Sequence, residues 1–232
     1  MSALIRVGHK GADAIVAGNT LASFDAALAA GVDMIEFDVL AERRDGSGEL
    51  FVAHDHPILA KTPAPTLTQA LAHLTSPPFD GVRLQLDIKQ RGYEQRVIDA
   101  LTQAGALERA FISTGIWNAL QTFRQLAPAL RTGWTVPAIV GVSGTPLISP
   151  SFGRLYSRLL PRRAAARIRA GQIDALVPNW RVVTPALVDA VLAAGGEIYV
   201  WTVDDAAQIS LLAEQGVTGV ITNDPRLFAT LS

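Results

Sequence analysis

Residues 19–39, NTLASFDAALAAGVDMIEFDV, read as a helix passed directly to a strand. Asn19 and Thr20 stand where a helix start is expected, Gly31 closes the helical run, and 34–39 then has the composition of a strand. The same unit recurs outward in both directions. Strand-type runs fall at 4–9, 82–88, 110–114, 131–136, 174–178, 197–203 and 217–222, and helix-type runs near 66–75, 93–105, 116–127, 160–170, 184–194, 205–215 and 225–231. Gly105, Gly195 and Gly216 close three of these helices. Strands alternating with helices of this length build parallel βαβ units. Eight units in 232 residues predict one domain over 1–232, an α/β chain folded as a (β/α)₈ TIM barrel. A doubly wound open sheet is the competing architecture, and it usually needs fewer strands. An extra run, 49–53, follows the turn Asp45-Gly46-Ser47-Gly48 and is expected to pair as a hairpin with the second strand.

Composition narrows the function classes. Hydrophobic residues make up 49% of the chain, enough for a sizeable core, and no cysteine is present, which excludes disulfides, thiolate nucleophiles and Cys-type zinc sites. A net charge of −1 argues against a general nucleic-acid binder. Apolar runs such as 136–142 are too short to cross a bilayer, and residues 4–7 read as a first strand with no signal-peptide core before it. The expectation is a soluble, cytoplasmic protein. Between Arg109 and Ile173 there is no acid, while arginines recur.

The acids that matter come early. Glu36 and Asp38 lie two apart on one strand, so they share a face. Paired carboxylates on an apolar strand repel one another unless a cation lies between them. Asp87 and Lys89 repeat the spacing on the third strand, again near its C-terminal end, where TIM-barrel active sites gather. Glu36, Asp38 and Asp87 can therefore supply oxygen ligands to one hard divalent cation, Mg²⁺ or Ca²⁺. Lys89 beside them suits a substrate phosphate, although a plain Asp87–Lys89 ion pair explains the same spacing. His9 and His54 end the first strand and the hairpin strand, and imidazole is the natural general acid or base at neutral pH. A lone strand-end histidine is usually structural. Two of them beside an acidic cluster point to catalysis.

His9-Lys10-Gly11, Asn19-Thr20, Gly31 before Ile35-Glu36-Phe37-Asp38, and His54-Asp55 resemble the opening signature of the glycerophosphodiester phosphodiesterases. Leu86-Asp87-Ile88-Lys89, Trp201-Thr202-Val203 and Gly219-Val220-Ile221-Thr222-Asn223-Asp224-Pro225 resemble that family's later motifs, in order along nearly the whole chain. The resemblance implies hydrolysis of a glycerophosphodiester to glycerol 3-phosphate and an alcohol, with one divalent metal on Glu36, Asp38 and Asp87. It implies His9 and His54 as the acid–base pair, Lys10 and Lys89 on the phosphate, and Trp201 lining the site. Four departures stand out. Lys10 replaces an Arg, Gly18 replaces a Glu, and Asp87 replaces a longer Glu. Only 32 residues separate His54 from Asp87, where the family often inserts a small subdomain. Two rival readings remain: lysophospholipase D or sphingomyelinase-D-like action on lipid phosphodiesters, and a non-catalytic phospho-ligand barrel. The basic, apolar stretch 152–169 is expected to form a lid or a lip for transient membrane-surface contact.

Overall fold

The computed structural model describes residues 3–137 and 150–230, with the side chains of 150–157 and 230 outside that description. Eight parallel strands close into a barrel: β1 (Ile5–Gly8), β2 (Met34–Ala41), β4 (Arg83–Ile88), β5 (Ala110–Thr114), β6 (Arg131–Val136), β7 (Ala175–Pro178), β8 (Glu197–Val200) and β9 (Gly219–Thr222). Closure comes from β1, which pairs with both β2 and β9. The hairpin strand β3 is short, Leu50–Phe51, and extends the C-terminal end of β2 in antiparallel register. Helices α1 (Leu21–Ala29), α2 (His56–Leu59), α3 (Leu67–Leu74), α4 (Glu94–Gln103), α5 (Trp117–Leu126), α6 (Pro150–Arg169), α7 (Pro185–Leu192) and α8 (Ala206–Glu214) connect the strands.

Several strands are shorter than expected, the short helix α2 was not expected, and three further differences bear on the site and the expected lip. Thr20 caps α1 by accepting from the Ser23 amide, while Asn19 adopts a left-handed φ of 60° and turns its side chain inward. Helix α6 begins ten residues before the expected 160, and Pro161 sits inside it. The last turn, Pro225–Thr230, is a 3₁₀ helix. The putter-in-place of α6 is Arg167, whose guanidinium lies 3.6 Å from the ring centre of Trp117 and 4.0 Å from that of Trp134. Of the expected lip, residues 152–157 have no described side chains. From Arg158 onward, Leu160, Ala164, Ala165 and Ile168 are buried while Arg158, Arg162, Arg163 and Arg169 are exposed, the pattern of an exterior helix. No helix among the described residues is long and apolar enough to cross a membrane.

The barrel is plugged from within. Val7, Met34, Phe111, Ala175, Val177, Tyr199 and Ile221 form an interior cluster, with the Phe111 and Tyr199 rings 5.4 Å apart. Glycine makes room for both rings. A Cβ on Gly133 would stand 2.4 Å from the Phe111 ring tip, and one on Gly219 would stand 2.7 Å from Tyr199. Large and small residues thus alternate around the interior, as a tapering barrel requires. Gly133→Ala is expected to cost about 1–3 kcal/mol through overpacking. A thermal melt should show Tm lower by roughly 2–12 °C, at about 2–4 °C per kcal/mol for a chain of this size.

Candidate active site

The residues singled out in the sequence gather on neighbouring strands, most of them at a strand's C-terminal end or just beyond it. His9 follows β1, Glu36 and Asp38 sit on β2, Asp87 and Lys89 belong to β4 and its exit, and Trp201 follows β8. His54 follows the hairpin strand β3. The register of β2 and β4 sets Asp38 directly beside Asp87. One cavity of about 290 Å³ is lined by His9, Lys10, Glu36, His54, Asp87, Lys89 and Trp201 together. Gln85, Gly115 and Thr135, with the apolar Pro137, Val177 and Ile221, complete its wall.

Glu36, Asp38 and Asp87 each offer an oxygen within 4.8 Å of the others, so the three can hold a metal ion. Each carboxylate is aimed by a different element. The Lys10 amide donates to Glu36 Oε2 at 2.8 Å, a contact made possible by the left-handed turn at Lys10 (φ 50°). Asn19 Nδ2 donates to Asp38 Oδ2 at 2.7 Å, while Asn19 Oδ1 accepts from the Asp38 amide. Ser113 and Thr135 hydroxyls donate to Asp87 Oδ1 at 2.7 and 3.2 Å. Ser113 spends its only proton there, so it accepts from Gln85 Nε2 at 3.0 Å. This bracing lets the shorter Asp87 complete the trio.

The cluster holds less positive than negative charge. Lys89 Nζ lies 2.6 Å from both Asp38 Oδ1 and Asp87 Oδ2, bridging the two rather than standing free. One ammonium faces three carboxylates. Burial, with Asp38 and Asp87 nearby, pushes the Glu36 carboxyl well above the usual carboxylate range. Burial also pushes Asp38 upward, but Lys89 and Asn19 outweigh it and hold Asp38 below its ordinary value. Asp38 Oδ1 is buried with no hydrogen bond beyond that ion pair. A hard cation taking oxygen donors fits this set.

Histidine 9 is held by a chain the sequence barely reveals. Asp204 accepts from the Asn223 amide at 2.8 Å, from Asn223 Nδ2 at 2.7 Å and from the Thr222 hydroxyl at 3.0 Å. A carboxylate only accepts, so Asn223 turns its Nδ2 to Asp204 and its Oδ1 to His9. His9 Nδ1 therefore donates to Asn223 at 2.6 Å, and its Nε2 is left as the acceptor, 3.8 Å from Glu36. Burial lowers the His9 pKa against the opposing pull of Asn223, and Lys10 lowers it further. His54 is different: its side chain is 47% exposed and its Nδ1 lies 3.0 Å from Asp55 Oδ2. The other histidines are structural, with His73 on Asp25 and His56 on the Ala41 carbonyl.

Gly18 explains one departure. Asp13 Oδ1 accepts from the Gly18 amide at 2.7 Å, and a Cβ on Gly18 would stand 2.6 Å from that oxygen and 2.8 Å from Lys10 Cβ. Asp13 thus occupies the space beside Lys10 that a side chain at 18 would take.

The model of the glycerophosphoryl diester phosphodiesterase family matches residues 9–77 and 65–227. The glycerophosphodiester phosphodiesterase of Caldanaerobacter subterraneus is 24% identical over 97% of this chain and 96% of its own length. A crystal structure from Silicibacter pomeroyi, of a candidate glycerophosphoryl diester phosphodiesterase, superposes with a TM-score of 0.79 at 22% identity, covering 100% of this chain and 95% of that one. An Oleispira antarctica phosphodiesterase, solved in complex with its product sn-glycerol-3-phosphate, gives 0.72 at 22% identity over 98% and 96%.

Proposed function

Because this chain belongs to the glycerophosphoryl diester phosphodiesterase family, we propose that it hydrolyses glycerophosphodiesters to glycerol 3-phosphate and an alcohol. The observation that carries the reading is that two histidines share one small cavity with Glu36 and Asp87, which cluster with the buried Asp38 in a set able to hold a metal ion. A bound Mg²⁺ or Ca²⁺, held by Glu36, Asp38 and Asp87, would stabilise negative charge developing on the phosphoryl oxygens.

The chain's own groups supply the proton transfers. His9 is the base: it is neutral, its tautomer is fixed, and its Nε2 has a free lone pair. It takes the proton of the attacking oxygen as that oxygen bonds to phosphorus. Asn223 and Asp204 keep the ring from turning and steady the charge it gains. His54, whose Nδ1 lies 3.0 Å from Asp55 Oδ2, is the acid: it protonates the alkoxide as the P–O bond to the leaving alcohol breaks. Lys10 places a point charge at the phosphate, and Trp201, anchored by its Nε1 to the Val177 carbonyl at 2.8 Å, gives the glycerol an apolar wall. A volume of about 290 Å³ sits at the small end of ligand cavities and suits a compact diester better than an acyl chain.

Purified protein incubated with glycerophosphocholine and Mg²⁺ or Ca²⁺ should release glycerol 3-phosphate, and EDTA should stop it. Release of choline from lysophosphatidylcholine alone would overturn the reading.

A further inference from the structure

A second cavity, of about 670 Å³, opens beside the first and shares Lys89 with it as a common wall. The two also abut along the chain, since Gly115 lines the first and Ile116 the second. Two arginines line the outer groove, Arg44 from the β2–β3 turn and Arg91 from the β4–α4 loop. Both are exposed, and neither side chain has a hydrogen-bond or ion-pair partner among the described residues. The groove's two acids are already engaged. Asp45 accepts from the Ser47 amide and hydroxyl, and the buried Glu94 accepts from the Gly92 amide at 2.8 Å.

The two loops carrying these arginines are fastened to each other. Gln90 Nε2 donates to the Arg43 carbonyl at 2.7 Å, and Arg96 donates to the carbonyls of Gly46 and Gly48. Gly46 lies so close that a Cβ there would stand 2.9 Å from the Arg91 carbonyl, and both Gly46 (φ 88°) and Gly92 (φ 100°) are left-handed. Neither loop can drift from the other. Two unpaired guanidinium groups on a preorganised frame bind an anion with less ordering cost than free loops would.

We propose that this groove receives the leaving alcohol, and that it selects glycerophosphodiesters whose alcohol carries an anionic group such as a phosphate. The inference rests on the hydrolytic reading of the first cavity: with the scissile phosphate there, the leaving group crosses the Lys89 wall towards Arg44 and Arg91. Asn118 and Thr122, also lining the groove, offer hydrogen-bonding groups for alcohol hydroxyls.

Glycerophosphoinositol and glycerophosphoinositol 4-phosphate differ by one phosphate and make the test pair. The protein should turn over the phosphorylated diester with kcat/KM about tenfold higher, through KM rather than kcat. In the Arg44→Ala/Arg91→Ala double variant that preference should vanish, while turnover of glycerophosphoinositol stays unchanged. Calorimetric titration with inositol 4-phosphate tests the groove without turnover, and the double variant should bind it at least about tenfold more weakly. Turnover of both diesters with equal kcat/KM, or a preference that survives in the double variant, overturns the groove and leaves the hydrolase reading standing. Hydrolysis of neither, with arginine-dependent inositol 4-phosphate binding intact, overturns the hydrolase reading and leaves the anion groove.

Discussion

His9→Ala lowers kcat by about 10²–10⁴-fold, the usual contribution of a general acid–base group, while cation affinity measured by calorimetry stays near that of the parent. His9 Nε2 faces the cavity but is not among the three carboxylate donors, and its Nδ1 is committed to Asn223. The pH profile supplies a second signature. Burial holds the imidazole neutral below the ordinary histidine value of about 6.5. The base therefore stays active as pH falls through that value, and the acid limb of kcat/KM should lie below about 6.5. His9→Gln, which keeps a polar side chain but cannot take the proton, should be as impaired as His9→Ala. Near-normal turnover of either variant would return His9 to a purely structural part.

Asp38→Asn should abolish measurable turnover and weaken cation binding by at least about 100-fold, beyond the tenfold to hundredfold typical of residues that merely support a ligand. Asp38 is the most enclosed of the three acids, 1% exposed. Its Oδ2 is fixed by Asn19, and its Oδ1 meets only the Lys89 ammonium, so Oδ1 is the oxygen a cation would share with Lys89. The amide keeps the shape but removes the charge, so Lys89 retains only Asp87 as a full partner. Calorimetric titration with Mg²⁺ and Ca²⁺ reads the loss directly. Unchanged affinity in this variant would move the cation site elsewhere.

How far the sequence was legible depended on the range of the interaction. The βα rhythm could be read because glycines that close helices must take left-handed backbone, as Gly31 (φ 76°), Gly105 (φ 65°) and Gly195 (φ 83°) do. Glu36 and Asp38 could be read because strand geometry puts alternate residues on one face. The true start of α6 could not, since Gly153 and Pro161 both mimic helix breakers within it. Asn19 was legible as a helix start and as part of a family motif, yet neither shows that its side chain grips Asp38 nineteen residues away. The His9–Asn223 contact spans 214 residues, and Asp204 behind it stands in no motif of its own. Ser113 and Thr135 reach Asp87 from two other strands. Such contacts exist only once the barrel has closed.

The bridge from Lys89 to Asp38 and Asp87 also bears on how a newly made chain matures. Small zinc domains stay unfolded until their ion arrives, because metal binding supplies their folding free energy. Here the polypeptide brings its own counter-ion to two of its three acids. If the proposed cation site is right, the barrel should close without its ion, and protein stripped with EDTA should still melt cooperatively. Adding Mg²⁺ or Ca²⁺ back to that stripped protein is then expected to restore turnover without a refolding step.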